Sequence, residues 1–202
     1  MIIRHGEKPT IKHQPPFGVT LDGEQDWESL TVRGWLRAAS IGRLFNPGKN
    51  AFPNDALARP TAIYASAPRD PGVALQQNDD SKSKRPLQTI TPLALELKIT
   101  PVVDFGKGQE AALARQVLNR NGVVLISWQH EAIGDIARNL VAGAEPKTII
   151  PTRWPDNRYD IVWIFDPPAK AKHRWKFIQV PQLLLPGDDE TVIEAASAPP
   201  TG

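Results

Sequence analysis

The run GVVLISWQ at residues 122–129 is the sequence feature that most constrains the fold. It is an almost unbroken stretch of apolar, largely β-branched residues. A strand with one face in water alternates apolar and polar residues, whereas an uninterrupted apolar strand is typical of a parallel sheet covered on both faces. Parallel strands need long crossover connections, which are usually helices. The run therefore predicts an α/β protein.

Predicted strands and helices alternate along the rest of the chain. Two late apolar runs, at residues 160–166 and 174–182, indicate an antiparallel pair at one side of the sheet. The alternation predicts a three-layer α/β/α sandwich with a mostly parallel central sheet. Pro92 predicts that its helix kinks or breaks. Besides the central run, we predict strands at residues 1–3, 62–66 and 100–105, and helices at residues 31–45, 86–97, 110–118 and 130–141.

Length and composition fit one domain with a sizeable core. Of the 202 residues, we assign 1–186 to that domain and expect the acidic, Ala/Pro/Ser-containing residues 187–202 to form a poorly ordered tail. The formal net charge of +2 does not indicate binding to nucleic acid or to a membrane surface. Cysteine is absent, which excludes a disulfide scaffold, and the four histidines lack the spacing of a zinc site.

The first strand bears on localisation. Residues 1–3 are short for a central strand, which usually has about five or six residues. We therefore expect that a few natural residues precede this start. No leader or membrane-spanning segment is visible in the printed sequence, so we expect a cytoplasmic protein.

Five short motifs follow one another along the chain: RHGEKP (4–9), LTVRGWLRA (30–38), IYAS (63–66), SKRPLQT (83–89) and WQHE (128–131). The most specific combination is an Arg-His-Gly after the first strand, an R-x-x-x-T that opens a helix, and a second histidine that ends a late strand. In this order the motifs resemble the histidine phosphatase superfamily, the phosphoglycerate mutase-like family. The resemblance covers roughly residues 1–142.

The resemblance implies a phosphoryl-transfer site. His5 would attack phosphorus and form a phosphohistidine, while Arg4 and Arg85 grip the phosphate and His130 bonds the same oxygens. A planar guanidinium suits this task because it bonds two phosphate oxygens at once and keeps its charge. Neighbouring cations disfavour a protonated imidazole, so His5 is expected to be neutral and nucleophilic. The family needs no metal or other cofactor.

Two assignments have competitors in the sequence. The leaving alcohol needs a proton, and Glu131, directly after the second histidine, is the favoured donor, with Glu110 and then Glu7 behind it. Arg69 competes with Arg85 for the phosphate, although the R-x-x-x-T spacing favours Arg85. The polar insertion at residues 67–84 separates the strand from the Arg-bearing helix more widely than in the family.

Three further residues are candidates for substrate binding. Lys8 and Arg158 could add positive charge around a phosphorylated substrate, and Trp128 could line its pocket. The alternative for a tryptophan is a place in the core, and for a lysine or arginine a solvated surface. Gly34 and Ala38 are predicted to be close-packing positions on their helix.

We therefore expect a phosphoric monoester hydrolase of the metal-independent histidine phosphatase type. Its partner would be a small phosphorylated substrate or inorganic phosphate. One alternative is a phosphate-binding or phosphoprotein-interaction module without turnover. Another is a phosphotransferase of the phosphoglycerate mutase type, which the continuation RHGEKPTIKH disfavours because it lacks the RHGESxWN pattern of that branch.

Overall fold

The structure is a computed structural model that describes residues 1–68, 83–143, 148–168 and 174–195. Within these ranges the chain forms a mixed α/β fold with one five-stranded sheet. The strands are β1 (Ile2–Arg4), β2 (Ala62–Ala65), β3 (Val124–Trp128), β4 (Ile161–Asp166) and β5 (Lys176–Pro181). The helices are α1 (Val32–Ser40), α2 (Gly42–Phe45), α3 (Arg85–Leu97), α4 (Glu110–Leu118) and α5 (His130–Leu140).

The sheet is mixed, with the strand order β2-β3-β1-β4-β5. β3 pairs in parallel with both β1 and β2, which agrees with its prediction as a central parallel strand. β4 pairs antiparallel with β1 and with β5. The predicted antiparallel pair is therefore confirmed, but the expectation of a mostly parallel sheet is not, because β4 and β5 occupy two of the five positions.

Both faces of the sheet carry buried apolar side chains. Successive residues of β1 alternate between the faces, so that Ile2 and Ile3 belong to two different buried clusters. Residues of α4 and α5 pack in the cluster that contains Ile2. Residues of α2 and α3 pack in the cluster that contains Ile3. Coverage on both faces explains why β3 is apolar throughout.

The helices form largely where the sequence predicts them. Thr31 caps α1, because its side-chain oxygen accepts a hydrogen bond from the Gly34 amide at 3.2 Å. The single helix predicted over residues 31–45 is divided at Ile41 into α1 and α2. α3 continues through Pro92, so the predicted kink or break does not end it there.

One predicted strand is wrong. Residues 100–105 make only a single bridge, between Val102 and Tyr64 of β2. Val102 uses both its amide and its carbonyl in bonds to this strand. Pro101, which has no amide hydrogen, precedes it and cannot extend the ladder.

The first residues after Gly187 are packed on the domain. The Asp188 carboxylate accepts hydrogen bonds from Arg37 at 2.7 and 3.0 Å, and Ile193 is buried in the cluster that contains Ile2. The segment that sequence assigns to a poorly ordered tail thus begins with residues that contact the core. Across the described residues, no helix has the length and apolar character needed to cross a membrane.

Candidate active site

A cleft of about 610 Å³ opens at the carboxyl ends of β1 and β3. These strands are parallel and in register at Arg4 and Trp128, so the residues that follow them emerge at the same edge of the sheet. Ligands collect at this edge in open α/β sheets. The charged and titratable residues that line the cleft include His5, Lys8, Arg85, Lys107, Glu110 and Glu131.

His5 is buried and held in one tautomer. Its amide donates to the Trp128 carbonyl at 3.1 Å, which extends the β1–β3 pairing by one residue. Its ring Nδ1 lies 2.7 Å from the Gly6 carbonyl oxygen. A carbonyl only accepts, so Nδ1 carries the proton and Nε2 carries the lone pair. Burial and the Arg4 charge hold the pKa of His5 well below its usual range, so the ring is neutral.

The backbone around Gly6 explains two of the sequence motifs. A Cβ on Gly34 of α1 would lie 2.5 Å from the Glu7 carbonyl oxygen, so only glycine permits this close approach. This contact confirms Gly34 as a close-packing position. The Gly6 amide donates to Thr89 Oγ1 at 2.8 Å, and Thr89 Oγ1 donates to the Arg85 carbonyl at 2.7 Å. The R-x-x-x-T spacing therefore ties the start of α3 to the loop after β1.

Arg4 presents two unused donors from a fully buried position. Its Nη1 donates to the carbonyl oxygens of Pro155, Asp156 and Arg158, at 3.1, 2.6 and 2.9 Å. The guanidinium also stacks on the Tyr159 ring, with Cζ 3.7 Å from the ring centroid. Nε and Nη2 have no partner within the described part of the chain. Buried donors are normally satisfied, so this edge fits an acceptor ligand.

Arg85 has a similar arrangement at the first turn of α3. Its Nη2 donates to the Trp27 carbonyl at 2.7 Å and to Glu28 Oε2 at 3.2 Å. Its Nε is buried and, among the described residues, unpartnered. Arg85 lines the cleft together with His5. Its competitor Arg69 lies outside the described residues.

His130 and Glu131 begin α5 and contact each other. His130 Nε2 lies 2.9 Å from Asp156 Oδ1, and its Nδ1 lies 2.9 Å from Glu131 Oε2 without the angle of a hydrogen bond. Lys107 Nζ donates to Glu131 Oε1 at 2.7 Å. Contacts with His130 and Lys107 lower the pKa of Glu131 far below its usual range. Glu131 thus lines the cleft as a carboxylate, while His130 faces Asp156.

Glu110 is the second carboxylate in the cleft and is held differently. It begins α4 and is buried. Its Oε1 accepts hydrogen bonds from the Gly108 amide at 3.0 Å and from Trp128 Nε1 at 3.1 Å. Both candidates for the proton donor, Glu110 and Glu131, therefore border the same space as His5.

Glu7, the third carboxylate considered, is engaged in ion pairs. Its Oε1 lies 2.8 Å from Arg37 Nη2 and 3.1 Å from Arg33 Nε. Arg37 is buried and also contacts Asp188. These pairs fasten the loop after β1 to α1, so Glu7 has a structural environment rather than one of a proton donor.

Two of the three residues predicted to bind substrate, Trp128 and Arg158, do not line the cleft. Trp128 is 0% exposed and orients Glu110 instead of lining the cleft. Arg158 donates to Asp160 Oδ1 and to the Thr191 carbonyl, both at 2.7 Å. The two predictions fail for the same reason: the polar groups of both side chains are buried, and buried polar groups are usually held by partners within the protein. Lys8 does line the cleft.

Sequence reasoning missed the environment of Arg4. Tyr159, Lys107 and Gln129 were not singled out, although Lys107 and Gln129 line the cleft and Tyr159 stacks on Arg4. β4 runs antiparallel to β1, so the residues before β4 lie at the edge where β1 ends, but no local sequence pattern records this pairing. Within the described ranges, no three His, Asp or Glu side chains converge as a metal site would require.

No protein-family model matches the chain, and no curated protein sequence matches it.

Proposed function

We propose that the protein is a metal-independent phosphatase that hydrolyses a phosphate monoester through a phosphohistidine at His5. One observation carries the proposal: the neutral His5 ring, with its lone pair on Nε2, neighbours the two buried guanidiniums of Arg4 and Arg85, whose free donors have no partner among the described residues. Phosphoryl transfer depends mainly on positioning and on neutralising the charge of the phosphoryl oxygens. Two fixed guanidiniums supply both.

The reaction has two steps. In the first, Nε2 of His5 attacks phosphorus, the ester P–O bond breaks, and the leaving oxygen takes a proton from a carboxyl group. In the second, water attacks the phosphohistidine while the same carboxylate takes a proton from the attacking water molecule. The P–N bond breaks, His5 is regenerated as the Nδ1–H tautomer, and inorganic phosphate leaves. The Gly6 carbonyl stabilises the positive charge that develops on the ring, because it accepts from Nδ1–H.

The fold supports the same proposal. We infer a three-layer α/β/α sandwich of the phosphoglycerate mutase-like type, with α4 and α5 on one face and α2 and α3 on the other. The chain order of the motifs agrees with the histidine phosphatase superfamily. The contact between Gly6 and Thr89 gives the R-x-x-x-T spacing a physical reason.

The first experiment measures hydrolysis of p-nitrophenyl phosphate in the presence of a chelator. The wild-type protein is compared with His5→Ala and with His13→Ala, which removes an exposed histidine outside the cleft. We expect turnover by the wild type and by His13→Ala, and none above background by His5→Ala. Acid-labile, base-stable phosphate on the wild-type protein after rapid quenching would identify the intermediate. Full activity of a folded His5→Ala variant would overturn the proposal.

One observation favours a second candidate, a phosphate-binding module without turnover. Glu131, the favoured acid, is ionised because His130 and Lys107 stabilise its charge. A pocket that binds phosphate without a protonated acid would bind and not hydrolyse. Calorimetry with inorganic phosphate would then give binding to the wild type, while no monoester is turned over. A mutase-type phosphotransferase would instead transfer phosphate to an added acceptor alcohol.

A further inference from the structure

We propose that the substrate is the monophosphate of a small, uncharged alcohol that carries further hydroxyl groups. This inference rests on the proposed function and names the substrate class of the same site. It is drawn from the charges that remain unpaired around the cleft and from the polar groups that border the space beyond His5. It disfavours bisphosphates, polyphosphates and esters of large apolar alcohols.

The positive charge of the cleft matches a single phosphate. Arg85 is paired with Glu28 at 3.2 Å, and Lys107 with Glu131 at 2.7 Å. Two cations near His5 remain: Lys8, which lines the cleft, and Arg4, which is buried and does not line it. Neither has a carboxylate partner in the part of the chain that the structure describes. A phosphate monoester carries nearly two negative charges at neutral pH. Among the described residues, these two cations therefore balance one phosphate.

Three carboxyl side chains also line the cleft, those of Glu110, Glu131 and Asp135. Glu131 and Asp135 lie one helical turn apart on α5, where Lys107 pairs with Glu131 and Arg138 with Asp135. Glu110 borders the cleft from the start of α4. Like charges that are brought together at a binding site act against the wrong ligand. A second phosphate beside these carboxylates would therefore gain little from the described cations that are already paired with them.

The remaining wall is polar and suits hydroxyl groups. Gln129 is 8% exposed, and its Nε2 lies 2.9 Å from Ser66 Oγ, so the amide is fixed at one end. Its Oε1 is buried and has no partner among the described residues. The same holds for Ser83 Oγ, and both residues line the cleft. Unsatisfied buried acceptors gain from a ligand that brings donors, as a sugar or polyol does.

Apolar and aromatic side chains are scarce in the same space. Of the described residues that line the cleft, Ala132 is the only apolar side chain, and His5 carries the only aromatic ring. Pockets for bases or aryl groups are typically lined by apolar and aromatic side chains. The cleft volume of about 610 Å³ is sufficient for a small molecule.

The test uses three probes: fructose 6-phosphate, fructose 1,6-bisphosphate, which adds a second phosphate, and cyclohexyl phosphate, which lacks the hydroxyl groups. Turnover is measured as kcat/KM with the wild type. Binding is measured by calorimetry with His5→Ala, which has no nucleophile and so reports affinity without turnover. We expect the sugar monophosphate to exceed the bisphosphate and cyclohexyl phosphate by about tenfold or more in both measurements.

A charge variant makes the test specific to the cleft. Asp135→Asn removes one negative charge from the rim, and Asp22→Asn removes one from an exposed site outside it. We expect Asp135→Asn to reduce the ratio of kcat/KM for the monophosphate to kcat/KM for the bisphosphate about threefold or more. Asp22→Asn should leave this ratio unchanged.

Two results would overturn the inference. One is equal or better use of the bisphosphate, and the other is equal use of cyclohexyl phosphate. Either would leave the proposed phosphatase intact, because turnover would still be observed. If no ester is hydrolysed, the proposed function fails, and the order of the calorimetric affinities still decides the ligand class.

Discussion

The two strand ends that meet at the cleft hold their histidines in different ways. At the end of β1, His5 and Arg4 are fixed by backbone carbonyls and are 2% and 0% exposed. At the end of β3, His130 is held between two carboxylates, and the Glu131 side chain is 43% exposed. One end is therefore organised by uncharged dipoles inside the protein, and the other by contacts with carboxylates nearer its surface.

The two strand ends therefore differ in how far pH and salt can change the orientation of their side chains. Backbone carbonyls cannot be protonated and are little affected by salt, so Arg4 and His5 keep their orientation under most conditions. Ion pairs near the surface are screened by salt and are individually worth about 1 kcal/mol or less. Preorganised groups contribute most to catalysis, so we expect the end of β1 to dominate the reaction.

The largest effect is expected at Arg4. Arg4→Lys keeps the positive charge, and its ammonium can still donate to the carbonyls that hold Arg4, but the Nε and Nη2 donors are lost. We expect kcat/KM for a phosphate monoester to fall about 10²- to 10³-fold. Arg33→Lys, at a side chain that is 45% exposed, is the matched control and should retain activity.

His130→Asn tests the end of β3 in the same assay. The His130 side chain already faces Asp156, so we expect kcat/KM to fall only about tenfold. A larger loss in His130→Asn than in Arg4→Lys would reverse the ranking of the two strand ends. Melting temperatures of all three variants must stay near that of the wild type for the comparison to hold.

An intermediate effect should reveal which carboxylate is the acid. Removal of a general acid slows esters with poor leaving groups and spares those whose leaving group needs no proton. We expect either Glu131→Gln or Glu110→Gln to reduce hydrolysis of an alkyl phosphate about 10²-fold. The same variant should change p-nitrophenyl phosphate hydrolysis far less, and the other variant should affect both esters alike. Equal losses on both esters in both variants would mean that neither residue is the acid.

The smallest effect concerns pH and stability. The pKa of His5 in the folded protein lies below the 6.5 of an exposed histidine. Between these two values the unfolded chain binds a proton that the folded protein does not, so the wild type loses stability as pH falls below about 6.5. As long as the pH stays above the pKa of His5 in the folded protein, each further pH unit costs about 1.4 kcal/mol.

Urea unfolding at pH 7.5 and pH 5 measures this loss. His5→Gln should lose less stability between the two pH values than the wild type, whereas His13→Gln, at an exposed histidine, should follow the wild type. An identical pH dependence in His5→Gln and the wild type would show that His5 titrates normally.

Sequence predicted the elements with strong local signals. α4 begins and ends where expected, and the apolar run at 122–129 contains the central strand. The strand expected at residues 100–105 reduces to one bridge with β2, because Pro101 has no amide hydrogen with which to extend the ladder. The mixed character of the sheet depends on which strand β4 joins, which no local pattern records.

The site was predictable where a residue acts through its own chemistry. His5, Arg85, Lys8 and Glu131 all line the cleft. The contacts of Trp128 and Arg158 were not predictable, because each is set by a partner distant in sequence. The partner is Glu110 for the Trp128 indole and the Thr191 carbonyl for the Arg158 guanidinium. Long-range pairing of this kind leaves no spacing in the chain.

The position of β1 in the sheet determines when the site can form during synthesis. β1 lies between β3 and β4 in the sheet, but it precedes both in the chain and leaves the ribosome before them. Arg4 finds its carbonyl partner Pro155 at a separation of 151 positions. Long-range contacts of this kind form slowly and only after the intervening chain is available. On the ribosome, His5 therefore emerges before the residues that complete its cleft, and the proposed phosphate site can form only once the region around residue 160 has emerged.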